Sequence, residues 1–172
     1  NLNKKKFGKL SSINEAFQYC YLNQPETNLK FINLINSDEG DYTRYLFFYL
    51  NNLIKEKDFK SALRASREIN ALDSNLLIQQ AKQWIDNSNF NKFDHFFSCE
   101  NEVDILAEFF FLISNFLAVD ENFEKSNFYL NISNYLNPKF YFNLTHLISN
   151  YSEIRNYEKM RSLLENFNKE DE

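Results

Sequence analysis

The stretch Ala107–Pro138, AEFFFLISNFLAVDENFEKSNFYLNISNYLNP, decides the fold class. Phe110, Ile113, Ser114 and Leu117 recur at the spacing of one face of an α-helix. Asp120, Glu121 and Asn122 interrupt the apolar run, and Phe123 restarts it. Phe123, Ser126, Leu130 and Ser133 then line one side of a second helix. Pro138 lacks a backbone donor and pushes its predecessor out of the helical region, so it closes this hairpin and can open the next helix. Ser114, Ser126 and Ser133 let two helix axes approach closely, where larger side chains overpack at a cost of about 1–3 kcal/mol.

The junction Asn122-Phe123 has counterparts at Asp58-Phe59, Asn89-Phe90 and Asn156-Tyr157, spaced by 31, 33 and 34 residues. Five helical hairpins follow, at about 11–37, 42–72, 74–99, 102–137 and 138–168, after a basic tail or the end of a preceding element at 1–10. In the first, Ser12 and Glu15 fit a capping box. Ile13, Ala16, Phe17 and Cys20 face inward, and Pro25 opens a helix with a Leu29, Ile32 and Ile35 stripe. The second hairpin carries Leu46, Tyr49, Leu50 and Leu53 at helical spacing. The third carries Ala81 and Trp84, then a short helix near 91–98 crowded with Phe93, Phe96 and Phe97. Leu144, Leu147, Tyr151, Met160 and Leu164 serve the fifth. The expected fold is all-α, with residues 11–172 forming one domain.

The 107–138 stretch resembles the tetratricopeptide repeat, a helical unit of about 34 residues. Phe110, Ile113 and Leu117 fall where that family has large residues. Ser114, Ser126 and Ser133 fall where it has small ones, and Pro138 falls on its closing proline. The resemblance extends over about 42–168 and more weakly over 11–37. It departs at Leu50, Ile148 and Phe167, where the family has small residues. It implies an α-solenoid, a right-handed superhelix of stacked hairpins each packed on its neighbours. The resemblance speaks to fold and is nearly silent on task.

Composition excludes several functions. Phe 19 and Tyr 10 against Gly 2 and Pro 2 favour helices over turn-rich sheets. A net charge of -5 argues against a nucleic-acid or anionic-membrane surface, and Lys4–Lys6 reads as a solvated tail. The apolar run from Val103 to Val119 is interrupted by Asp104, Glu108, Ser114 and Asn115, so it falls short of a membrane span. Asparagine is abundant and expected at helix ends and exposed faces, and the sequons at Asn131, Asn143 and Asn150 lie in or beside helices. With only Gly8 and Gly40, no phosphate-cradling loop can be built. His95 and Cys99 could share a helix face, but a zinc site needs three or four ligands. His146 stands alone. Glu100, Glu102, Asp104 and Glu108 are the carboxylates expected around a helix N-terminus. Cys20 and Cys99 are expected as buried, unpaired thiols. No catalytic residue, cofactor or metal is expected.

What remains is the concave groove that the resemblance implies, lined by the first helix of each hairpin. Carried over by position, it takes Arg44, Phe47, Asn51, Ile54 and Lys55 from the second hairpin and Asn75, Ile78, Lys82, Ile85 and Asp86 from the third. The fourth contributes Glu108, Phe111, Asn115, Ala118 and Val119, and the fifth Phe142, Thr145, Ser149, Ser152 and Glu153. Phenylalanines offer apolar anchors, and amides such as Asn51 and Asn115 can pair with a peptide backbone. Phe47 and Phe111 stand where a carboxylate-clamp groove has lysines, which excludes capture of an acidic C-terminus. The expected function is a non-enzymatic scaffold that binds another protein or peptide. The alternative is an accessory region of a larger enzyme. The chain begins at Asn1 and is read as an excerpt of a longer bacterial protein, cytoplasmic or periplasmic.

Overall fold

A computed structural model describes residues 10–37, 43–69 and 75–167. The basic tail and the Gly40 break lie outside these residues. The chain divides into two compact units, Asn1–Glu100 and Asn101–Glu172. Among the described residues it is all-helical. The first unit holds α1 (Leu10–Tyr21), α2 (Thr27–Ile35), α3 (Tyr45–Lys55), α4 (Phe59–Arg67), α5 (Leu76–Asp86) and α6 (Asn91–Phe96). The second holds α7 (Glu102–Val119), α8 (Phe123–Leu136), a 3-10 turn at Tyr141–Asn143, α9 (Leu144–Glu153) and α10 (Tyr157–Phe167). Within each unit, successive helices pack mainly on their sequence neighbours from α1 to α5 and from α7 to α10.

The hairpin turns share one mechanism. Asn23, Lys57, Ser88, Glu121 and Arg155 all adopt left-handed backbone, with φ of 50, 61, 57, 57 and 57°. Each sits just past a helix end, and the next residue's N–H reaches back to close it. Asp58 N donates to the Leu53 carbonyl (2.9 Å), Asn89 N to Trp84 (2.7 Å), Asn122 N to Leu117 (2.8 Å) and Asn156 N to Tyr151 (2.8 Å). Gln24 N does the same to Tyr19 at 2.9 Å. These are Schellman closures, which satisfy orphan helix carbonyls. Glycine normally takes this position because a Cβ there costs about 1–2 kcal/mol. Lys57→Gly is therefore expected to stabilise the first unit by about 1 kcal/mol, with Lys57→Ala showing no such gain. Urea unfolding followed by Trp84 fluorescence measures both, and equal midpoints for Gly and Ala would contradict the assignment.

On the far side of the α3–α4 turn, Asp58 caps α4 by accepting the Ser61 N–H at 3.1 Å. Hydrogen bonds from Ser61, its hydroxyl first and then its backbone N–H, hold the Asp58 carboxyl below the usual carboxylate range. The cap thus contributes at neutral pH and is lost as pH falls below about 4, through the lowered folded value.

Aromatic rings form the core of the first unit. Phe48 meets Phe17 at 4.9 Å, Phe97 at 4.7 Å and Phe47 at 5.4 Å. Phe47 stacks on Phe93 at 5.6 Å, and Trp84 lies against Phe93 and Phe96. Helix α3 touches α2, α4, α5 and α6, and is buried nearly all round as a result. In the second unit Phe111, Leu130, Leu147 and Tyr151 form the core, with Leu144, Met160 and Leu163 packed against it. Ser114, Ser126 and Ser133 are fully buried.

Several expectations are corrected here. Ser12 lies inside α1, which starts at Leu10, so it is not a cap. Glu15 instead bonds Lys30 at 2.6 Å. The inward face of α2 is Thr27, Phe31 and Leu34, while Leu29 is exposed. Asparagine also belongs to the interior. Asn150 Nδ2 donates to Ser126 Oγ (2.8 Å) and Asn127 Oδ1 (2.9 Å), and Asn143 Nδ2 donates to Ser133 Oγ (2.9 Å). These bonds tie the small-residue side of α8 to the next hairpin and bury two of the three sequon asparagines. Cys20 and Cys99 are joined by a disulfide, Cα to Cα 5.6 Å, across a sequence separation of 79. Cys20 is on the inward face of α1, and Cys99 lies in a turn beyond the end of α6 rather than on a helix.

Candidate functional site

Many of the residues expected to line the groove are interior to their own unit. Phe47, Asn51, Ile54, Ile78, Ile85, Glu108, Phe111 and Phe142 are all buried. Phe47 belongs to the aromatic core, and Asn51 Nδ2 donates to the Phe97 carbonyl at 2.8 Å. Phe111 is central to the second core and meets His146 edge-on at 5.1 Å. The reason is helix phase. In α7 the inward side is Ala107, Glu108, Phe111, Leu112 and Ser114, whereas Phe110, Ile113 and Leu117 are only half-buried. The helix is apolar on both sides, so its periodicity fixed two candidate faces without ranking them.

The other groove candidates are scattered. Arg44 is half-buried, 5.9 Å from the Phe48 ring. Lys55 pairs with Glu100 at 2.9 Å, and Lys82 Nζ donates to the Ser66 carbonyl at 2.7 Å. Asn115 is half-buried, and its Oδ1 has no hydrogen-bond partner among the described residues. Thr145 and Ser149 are exposed on α9, where Thr145 Oγ1 donates back to the Phe142 carbonyl.

Among the described residues no group of three or more His, Cys, Asp or Glu could hold a metal ion. Cys99 is committed to its disulfide, which removes the His95–Cys99 pair as ligands. No helix among them is long and apolar enough to cross a membrane. A shallow cleft of about 290 Å³ lies between α2, α3 and α4, with Ile32, Leu46, Tyr49, Arg64 and Glu68 in its lining. Burial raises the Tyr49 hydroxyl above the usual phenol range, opposed by the nearby Arg64 charge. This cleft sits at the small end of the range for ligand sites.

The more distinctive surface is the outward face of the α7–α8 hairpin. On α7, Leu106 is 44% and Phe109 38% exposed; on α8, Phe128 is 62% and Tyr135 84% exposed. Phe109 and Phe128 are joined through the half-buried rings of Phe110 and Tyr129. Phe109 meets Phe110 at 6.1 Å, Phe110 stacks on Tyr129 at 5.9 Å, and Tyr129 meets Phe128 at 5.3 Å. The result is an aromatic band running across two helices within one unit. Sequence reasoning missed it because Phe109, Phe128 and Tyr135 lie outside the groove positions the resemblance supplies. The available signal was an 18-residue helix, α7, too apolar for the single buried face its hairpin can offer. Compared with known protein families, with curated proteins and with solved structures, the chain matches none.

Proposed function

We propose that this chain is a non-enzymatic interaction scaffold, a tetratricopeptide-like stack of helical hairpins that binds a peptide or helix of another protein. The carrying observation is the aromatic band of Phe109, Phe110, Tyr129 and Phe128, its end rings Phe109 and Phe128 exposed and its middle pair half-buried, on a hairpin whose opposite side is already packed. Contiguous exposed apolar surface of this kind marks an interaction site more often than it decorates a monomer. The repeat reading is supported by left-handed closures at Asn23, Lys57, Ser88, Glu121 and Arg155, which recur every 31 to 34 residues. The Cys20–Cys99 disulfide favours an oxidising compartment, and so the periplasm over the cytoplasm.

Selection of displayed random peptides on the full chain tests this reading. Peptides enriched on the parent are expected to bind the Phe109→Ser, Phe128→Ser variant at least about tenfold more weakly, while its thermal melt stays close to the parent's. Failure to enrich any peptide, or equal binding to parent and variant, would contradict it.

A further inference from the structure

The outward side of α7 has a finer pattern than general hydrophobicity. Leu106, Phe109, Ile113 and Phe116 recur at spacings of 3, 4 and 3 residues, the period of a helix–helix seam. They lie opposite the inward set of Ala107, Phe111 and Ser114, on a helix with 18 residues, about 27 Å long. Leu106 and Phe109 are exposed, and Ile113 and Phe116 are half-buried. The ends of the seam are acidic. Glu102 stands exposed at one end, and Asp120, Glu121 and Glu124 stand exposed at the other, where the exposed Lys125 offsets one of the three.

Resting on the scaffold reading, we infer that this seam receives one amphipathic helix of a partner protein, with apolar residues at 3/4 spacing and basic residues toward both its ends. A helix fits better than an extended strand because strand addition needs unpaired backbone donors and acceptors, and a helix face has none to give. Basic ends follow from charge complementarity. The same acids argue against a second copy of this chain. Antiparallel α7 helices would set Glu102 against Asp120, Glu121 and Glu124, and parallel ones would set each cluster against itself. The net charge of -5 opposes self-association further.

Two blocked 20-residue peptides test the inference by fluorescence anisotropy on the full chain. Both carry leucines at 3/4 spacing, one with lysines and the other with glutamates at its ends. The lysine-ended peptide is expected to bind at least about tenfold more tightly at low salt, with the gap narrowing as salt rises. Leu106→Ser with Phe109→Ser should abolish its binding. Glu102→Lys with Asp120→Lys, which leaves the apolar seam intact, should reverse the preference. Equal affinities, an unreversed preference, or binding untouched by the seam substitutions overturn the inference. So does concentration-dependent dimerisation lost on Phe109→Ser, which assigns the face to a second copy. If neither designed helix binds while the displayed library still yields peptides that compete at Phe128, the inference falls and the scaffold reading stands. If the library also yields nothing, both fall.

Discussion

Cys20→Ser is expected to lower the stability of the first unit by about 2–5 kcal/mol, toward the upper end because the closed loop is long. The bond spans a sequence separation of 79, from the inward face of α1 to the turn after α6, and so encloses most of that unit. In the chain-entropy account, a cross-link between distant residues removes many conformations from the unfolded ensemble, and releasing it returns them. Trp84 is the chain's one tryptophan and is buried in the affected unit, so its fluorescence follows the transition directly. The urea midpoint read at Trp84 should fall equally with Cys20→Ser, with Cys99→Ser and with reductant on the parent. The double mutant should show no further response to reductant. Two free thiols in the denatured, unreduced parent, or a Trp84 midpoint indifferent to reductant, would remove the disulfide from the account.

Phe111→Ala should destabilise the second unit by about 3–5 kcal/mol, the cost of emptying a large aromatic site in a packed core. Phe111 is 1% exposed and shares its cluster with Leu130, Leu147 and Tyr151. Phe109→Ala, two residues earlier on the same helix, should cost under about 1 kcal/mol, because that ring is on the outward band. Far-UV circular dichroism during urea unfolding distinguishes the two. Similar losses for both variants would mean that the phase of α7 is wrong, and with it the outward seam. Glu108 follows the same logic. It is buried beside this core, so its replacement perturbs the fold and makes a poor probe of binding.

The contrast between Phe109 and Phe111 shows where sequence reading stopped. The all-helical class was legible because apolar spacing, scarce glycine and the Asx-aromatic junctions agreed with one another. The junctions were legible for a local reason: each is a turn whose hydrogen bonds stay within a few residues, as between Asn122 and Leu117. The inward face of α1 was legible too, since Ile13, Ala16, Phe17 and Cys20 have polar residues opposite. By contrast, α5 was legible only at Ala81 and Trp84, because Ile78 and Ile85, expected in the groove, are buried as well. Helix α7 has no polar side to oppose its apolar one, and α2 offers two overlapping stripes. Tertiary packing made those choices. The Cys20–Cys99 pairing was illegible because two cysteines separated by 79 residues carry no spacing signal, and contact depends on where α6 stops. Asparagine misled in the same manner. Asn143 and Asn150 have ordinary surface side chains by composition, yet they meet buried serine hydroxyls from α8.

The disulfide also decides how the chain carries load. A pull on the two ends of the polypeptide enters α1, crosses the sulfur bridge and leaves at Cys99, so that α2 to α6 hang on a closed covalent ring outside the path of tension. About 270 Å of extended chain is thereby withheld from stretching until a reductant opens the ring. Under tension between two anchors, the described residues that bear load are the part of α1 before Cys20 and the helices α7 to α10, which carry the aromatic band.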